Sequence, residues 1–412
     1  MQTQLADFIR DTDDGREADR ILRTCVHCGF CLATCPTYQI LGDELDSPRG
    51  RIYLIKQLFE GASVTHKTLK HLDRCLTCRN CETTCPSGVE YGKLIDLGRK
   101  HAELKVARPL SEQIKRRALA KFLPQESLFG GALKLGRMVR PFLPQTLAGK
   151  VPADPSPPDK GELGGISPSA QHPRKMLVLA GCVQPALAPQ INIAAARVLD
   201  AIGISLIEAD NAGCCGAVSF HLNFQEEGLD AMRRNIDAWW PHIQAGAEAI
   251  VMTASGCGVT VKEYGHHLRH DPTYAEMAAR VSGLTKDISE VLLGEEIALR
   301  EWLGKRPAAA PRNISFHPPC TQQHGQKISG VIEALLTVAG HTMQPVSESN
   351  LCCGSAGTYS LLEPDISMQL RDRKLGHLSA PKPEVIATAN IGCLTHLQSG
   401  TSIPVCHWIE LL

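Results

Sequence analysis

The stretch CVHCGFCLATCP, residues 25–36, sets four cysteines at intervals of three, three and four residues and ends in proline. Fifty residues later the chain repeats the arrangement as CLTCRNCETTCP, residues 75–86. Nine further cysteines follow, seventeen in 412 residues. A chain of this length has room for two or three domains, and 43% hydrophobic residues suffices for buried cores. Lys+Arg and Asp+Glu both number 43, so no basic excess points to nucleic acid. The first residues, MQTQLADFIRDTDDGREADR, are polar, and no apolar run approaches the roughly 20 residues of a membrane helix. The expectation is a cytoplasmic protein without a transmembrane segment, peripheral at most on the inner face of the cell membrane. In a reducing compartment so many cysteines read as metal ligands rather than disulfides.

Spacing selects the metal. CxxCxxCxxxCP is the run of bacterial ferredoxins, whose first three thiolates hold one [4Fe-4S] cluster while the fourth crosses to the other. Zinc fits poorly, since a tetrahedral zinc site wants paired CxxC units without a third step. The crossing rule assigns Cys25, Cys28, Cys31 and Cys85 to one cluster and Cys75, Cys78, Cys81 and Cys35 to the other. Pro36 and Pro86 are expected to stop each ligand turn. Between the runs, Ile52, Leu54, Ile55, Leu58 and Phe59 approximate a helical stripe that Ser47 and Pro48 can start. Residues 1–105 therefore read as a helical ferredoxin module with two [4Fe-4S] clusters. Arg49 and Arg51 read equally as solvated helix-start charges or as cations stabilising a nearby cluster. Residues 106–150 continue as amphipathic helix broken by prolines, and 151–174, rich in Pro, Gly and Ser, read as a linker.

Beyond the linker lies a second repeat. Cys182, ending MLVLAGC, precedes Cys214 of a CCG triplet by 32 positions, and Cys257 follows 43 later; Cys320, ending ISFHPPC, precedes Cys352 of another CCG by 32, and Cys393 follows 41 later. In each half a short apolar strand, a helix, a second strand and the CCG loop are expected, then another helix and a strand delivering the last cysteine. The fold class is thus α + α/β: the helical ferredoxin module followed by a pseudo-twofold duplicated α/β domain, 175–300 and 301–412. Cys182, Cys214, Cys215, Cys257, Cys320, Cys352, Cys353 and Cys393 would then gather past strand ends, where open α/β sheets collect ligands. Two adjacent thiolates reach one cluster only through a sharp turn, which Gly216 and Gly354 permit. Cys406 has no counterpart, because VCHWIELL aligns with TKDISEVLL; it reads as a plain buried cysteine.

Paired ferredoxin runs followed by two CCG halves resemble the iron–sulfur subunits of the glycolate oxidase, lactate utilisation and anaerobic glycerol-3-phosphate dehydrogenase group. The CCG halves are also similar to the CCG-bearing chain of the heterodisulfide reductases. SPRGRIYLIK, LCCGSAGTYSLLEPD, ANIGCLTHL and the terminal HWIELL look most like the glycolate oxidase iron–sulfur subunits. That resemblance implies partner subunits carrying FAD that oxidise glycolate to glyoxylate, and passage of the electrons through this chain to a quinone or another acceptor. It also implies at least one further iron–sulfur cluster in the CCG domain. One departure stands out: the heterodisulfide reductase pattern ends each half in CxxC, whereas here Thr260 and His396 stand at the second cysteine positions. His317 and His396 read either as iron ligands or proton carriers, or as hydrogen-bonded structural residues, and His221 has a weaker claim. No GxGxxG, GxxxxGK[ST] or nucleophile signature occurs, so neither flavin nor catalytic residues are expected on this chain. The alternatives are a sister complex acting on lactate or glycerol 3-phosphate, a reductase catalysing at its CCG clusters, and a zinc scaffold.

Overall fold

The structure, a computed structural model, describes residues 1–140, 172–306 and 310–412. Residues 141–150 of the connecting segment and 151–171 of the expected linker lie outside the described residues.

The two ferredoxin runs are held by four helices, Asp13–Thr24, Pro48–Phe59, His66–Asp73 and Tyr91–Lys105. Ser47 caps the second of these, its Oγ accepting from Gly50 N at 3.0 Å, with Pro48 at the first helical position. The apolar faces of the four helices close a core that includes Ile21, Leu22, Ile55, Phe59, Leu72 and Leu94. Pro36 corrects one expectation. Rather than only ending the ligand turn, it opens a helix, Pro36–Leu41, because its fixed φ suits the first helical position and its missing N–H has no partner to lose there. Helices Leu110–Phe122 and Glu126–Val139 follow, the first tied back through Arg108 and Arg116, both paired to Asp73.

The remainder is two parallel sheets of one design. Strands β1 (Arg174–Val178), β2 (Ile204–Glu208), β3 (Ile250–Met252) and β4 (Thr285–Asp287) run in the order β2-β1-β3-β4. Strands β5 (Asn313–His317), β6 (Thr342–Gln344), β7 (Val385–Thr388) and β8 (Val405–His407) run in the matching order β6-β5-β7-β8. Central strands such as VIAT are buried on both faces, which is why they read as apolar runs without alternation. Strand β1 begins at Arg174, and the helix Glu296–Lys305 runs across the 300/301 boundary between the halves. The halves share a core in which Met176, Val178 and Ile191 of the first pack with Ile314, Phe316 and Trp408 of the second. Across this seam His407 Nε2 hydrogen-bonds Thr253 O at 2.8 Å and Ser255 N donates to Ala389 O at 3.1 Å. Cys406 lies in β8, the counterpart of β4, packed against the shared core, where burial pushes its thiol up.

The helical domain sits on both halves. Arg79 pairs with Glu263 at 2.5 Å, Tyr359 Oη donates to Arg74 O at 3.1 Å, and His324 bridges Thr83 Oγ1 at 3.0 Å and Asn350 O at 2.9 Å.

Candidate iron–sulfur sites

Each ferredoxin run is shaped by its backbone. His27 (φ 59°) and Gly29 (φ 86°) occupy the left-handed region in the first run, and Thr77 (φ 51°) and Arg79 (φ 60°) occupy it at the same two positions of the second. Alternating left-handed residues turn successive N–H groups to one side, a cradle for an anionic group. At φ 86° glycine is the residue of least strain, and a Cβ at Gly29 would stand 2.7 Å from Arg49 Nη1 and displace that guanidinium. Where the second run has Arg79 instead, ion pairs to Glu82 at 3.0 Å and Glu263 hold the residue in place.

One cavity is lined by Cys25, Cys28 and Cys31 together with Cys85 of the other run, and Cys81 reaches its wall. Cys35, Cys75, Cys78 and Cys81 form the second neighbourhood. Burial pushes the Cys78 and Cys81 thiols well above their ordinary range, and the sulfurs around them push further. Buried thiols of this kind ionise only when a metal compensates the charge. Donors face Cys75 Sγ as well, Thr77 N at 3.4 Å and Tyr91 Oη at 3.7 Å, and Thr37 Oγ1, which donates to Asp46 O, lies 3.3 Å from Cys35 Sγ.

Two arginines near these sites had an undecided reading in the sequence. Arg49 is half-buried, lines the first cavity and pairs with Glu44 at 2.7 Å. Arg51 is 1% exposed; its Nη2 meets Asp46, 0% exposed, at 3.3 Å, and its Nε donates to His71 O at 2.6 Å. Burial opposes its charge, but Tyr91, Cys75, Cys35 and Asp46 around it outweigh that and raise its pKa. Neither arginine is simply a solvated charge, and Arg51 is a buried cation beside the second group of sulfurs. Arg99, also buried, donates to Leu72 O at 2.9 Å and Cys75 O at 2.6 Å, which fixes the entry to the second run.

In the cysteine-rich domain each set of four sulfurs collects beyond the strand ends of its own half. Cys214 neighbours Cys182 and Cys215, and Cys215 neighbours Cys257; hydrogen bonds from Cys182 and Cys215, with Arg234 nearby, hold the Cys214 thiol well below its ordinary range. In the second half Cys320 Sγ is 3.8 Å from Cys352 Sγ, and Cys353 neighbours Cys352 and Cys393. Two thiolates bound about 2.3 Å from one metal at the tetrahedral angle stand about 3.8 Å apart, so this pair has the spacing of co-ligands. Gly216 (φ 92°) and Gly354 (φ 88°) turn the paired cysteines, and a Cβ on either would strike the helix behind it, at Gly228 O (2.6 Å) and Ser367 O (2.4 Å).

The histidines separate. His396 Nε2 hydrogen-bonds Ser367 Oγ at 3.1 Å, and Thr260 Oγ1 donates to Gly256 O at 3.1 Å; at both positions where the heterodisulfide pattern has a cysteine, the side chain is bound into its own protein frame. His221 pairs with Asp96 at 3.4 Å. His317, 1% exposed, has no hydrogen-bond partner for either ring nitrogen among the described residues, and it lies with Cys353 and Cys393 so that their ligand atoms are all within 4.8 Å of one another. Leaving such a group unpaired costs about 1–3 kcal/mol, so the position demands a reason. Lys374, 2% exposed, lies near the same sulfurs; its Nζ donates to Glu348 O at 2.5 Å, and burial lowers its pKa to about 8. Sequence reasoning missed Lys374, Arg99 and Tyr91, because nothing local in the chain announces a partner supplied by another element.

All seventeen cysteines are free thiols, and the buried, donor-ringed sulfurs suit iron–sulfur clusters rather than disulfides. A two-run ferredoxin domain docked on a duplicated cysteine-rich domain defines an iron–sulfur electron-transfer protein. Residues 21–89 match the 4Fe-4S dicluster domain family, and residues 176–262 and 314–398 each match the cysteine-rich domain family. The chain is 54% identical to the glycolate oxidase iron-sulfur subunit of Escherichia coli (strain K12), covering 100% of this chain and 98% of that protein. It is 29% identical to the probable glycolate oxidase iron-sulfur subunit of Bacillus subtilis (strain 168), over 92% of this chain and 89% of the other. Against lactate utilization protein A of Geobacillus thermodenitrificans identity is 25%, over 58% of this chain and 98% of that one. The chain belongs to the family of glycolate oxidase iron–sulfur subunits.

Proposed function

We propose that this chain is the electron-transfer subunit of a glycolate dehydrogenase complex. FAD-containing partner subunits oxidise glycolate to glyoxylate, and the two electrons leave the flavin one at a time through this chain. One [4Fe-4S] cluster is held by Cys25, Cys28, Cys31 and Cys85, and a second by Cys35, Cys75, Cys78 and Cys81. A further cluster lies on Cys320, Cys352, Cys353 and Cys393, and Cys182, Cys214, Cys215 and Cys257 offer the same donors in the first half. Electrons pass from the ferredoxin pair into the second cysteine-rich half and on to a quinone or similar acceptor. The same reading gives the chain a peripheral place on the cytoplasmic face of the membrane that holds the quinone.

The observation that carries this route is the junction between the domains. Cys78 packs against an apolar cluster that holds Cys320, Cys352 and Leu76, which brings sulfurs of the second ferredoxin run and of the second half into one neighbourhood. Glycolate rather than lactate is favoured by full-length similarity to the Escherichia coli glycolate oxidase subunit, against partial similarity to the lactate utilisation protein. A disulfide-reducing catalytic role is disfavoured, because Thr260 and His396 supply no fifth thiolate. No helix among the described residues is long and apolar enough to cross a membrane.

Purification of the complex with its flavin subunits tests the reading. Glycolate should bleach the cluster absorbance of the complex and leave the isolated chain unchanged. Reduction of the isolated chain by glycolate, or preferential reduction of the complex by lactate, would refute it.

A further inference from the structure

The two cysteine-rich halves repeat each other closely enough to be compared position by position, and at one position they differ in chemistry. Three residues before the first cysteine of each half stand Leu179 and His317. Leu179 is buried in the apolar core of its half. His317 occupies the corresponding strand end, with its backbone carbonyl accepting from Thr388 Oγ1 at 3.1 Å, but its ring is set among sulfurs.

Three separate strand ends converge there. His317 ends β5, Cys353 sits in the loop after β6, and Cys393 lies in the helix Ile391–Gln398 after β7. A buried imidazole serving only as filler gains nothing over the leucine of the other half and leaves both nitrogens without partners. The nearby polar groups are engaged elsewhere: Lys374 Nζ donates to the Glu348 and Ser349 carbonyls, and Asn390 Nδ2 points at Cys393 Sγ, 3.6 Å away. A ring nitrogen within 4.8 Å of two thiolate sulfurs has the reach to share their metal.

We propose that His317 is an iron ligand of the centre in the second cysteine-rich half, adding a ring nitrogen to the donor set of Cys320, Cys352, Cys353 and Cys393. The proposal rests on the reading that this half holds an iron–sulfur centre. The ligand's chemistry gives the test its sign: imidazole binds as a neutral ligand where thiolate brings a negative charge, so putting a thiolate in its place lowers the potential of an iron–sulfur centre.

The test uses the full chain, anaerobically reconstituted with Mössbauer-active iron and made with isotopically labelled histidine. The unmodified chain should display an iron subsite of nitrogen–sulfur character and strong nitrogen coupling in pulsed EPR. His317→Cys should keep the iron and sulfide content, convert that subsite to thiolate type and lower its midpoint potential. His317→Leu, which copies the first half, should lose the nitrogen coupling while both ferredoxin clusters stay intact. Iron that is thiolate-ligated throughout the unmodified chain, or a His317→Leu spectrum identical to it, would overturn the assignment. Should the variant in which Cys320, Cys352, Cys353 and Cys393 are all replaced by alanine contain as much iron as the unmodified chain, the second half holds no centre, and the underlying reading falls together with the ligand.

Discussion

Cys78 and Cys320, far apart in the sequence, pack in a single apolar cluster where the helical domain meets the second cysteine-rich half. Cys320 is in turn 3.8 Å from Cys352, so sulfur follows sulfur from the second ferredoxin run to the CCG loop. Among the described residues no apolar core cluster joins a ferredoxin sulfur to a sulfur of the first half, and on the proposed route the two repeats would take unequal places.

Cys85→Ser should remove about four iron atoms per chain from the centre shared with Cys25, Cys28 and Cys31. The centre at Cys75 should survive, although Cys85 belongs to the same run. Low-temperature EPR of the reduced chain distinguishes the two, and damage confined to the Cys75 centre would mean that each run ligates its own cluster.

Cys353→Ser should stop delivery to a quinone acceptor while glycolate still reduces both ferredoxin clusters through the flavin subunits. Stopped-flow absorbance separates filling from turnover. A normal rate with quinone would place the exit elsewhere.

Removing the buried cation at Arg51 should make the neighbouring cluster harder to reduce, since a positive charge favours the more negative reduced state. Arg51→Met is expected to lower that midpoint potential and to destabilise the domain by about 1–3 kcal/mol through the lost hydrogen bonds to Thr37 and His71 O, Asp46 keeping Arg74 at 2.8 Å and His71 at 3.1 Å. Arg51→Lys should restore most of the potential but less of the stability, because lysine cannot reproduce the forked contacts. Redox titration and urea unfolding read the two effects separately.

Asp73 is held below the usual carboxylate range: burial works against it, but the hydrogen bond from Arg108 and the charge of Arg116 prevail. A lowered native pKa contributes stability above the unfolded value, and that contribution is lost as pH falls through the native one. Asp73→Asn should therefore cost about 2 kcal/mol. The gap should stay flat from about pH 7 to 5 and narrow only below about 4. A gap that closes between pH 7 and 5, followed by urea midpoints, would contradict the assignment.

Legibility in the sequence followed the range of the interactions. Cysteine spacing, the strand–CCG–strand repeat and the equivalence of β8 with β4 are local or periodic, and they could be read directly. Arg51 could not be placed, because its burial is decided by Asp46 and His71, which belong to other elements. His317 and His396 looked alike in sequence; only the fold supplies Ser367 to one and sulfur neighbours to the other. The docking of Cys78 on Cys320 left no trace, since nothing near either residue encodes its partner. Pro36 is ambiguous in sequence, because the ring geometry that ends a turn also begins a helix.

Of the seventeen cysteines only Cys28 is exposed. Air and peroxide therefore meet the Cys28 sulfur most readily, with Cys31 and Cys85 beside it only partly covered, and ageing of this protein should be a sequence of losses rather than a collapse. The centre at Cys28 corrodes first, while the inner sulfurs remain sheltered behind it. A partly spoiled preparation would still carry colour and iron on its inner sulfurs, so iron content alone is a poor gauge of a working sample.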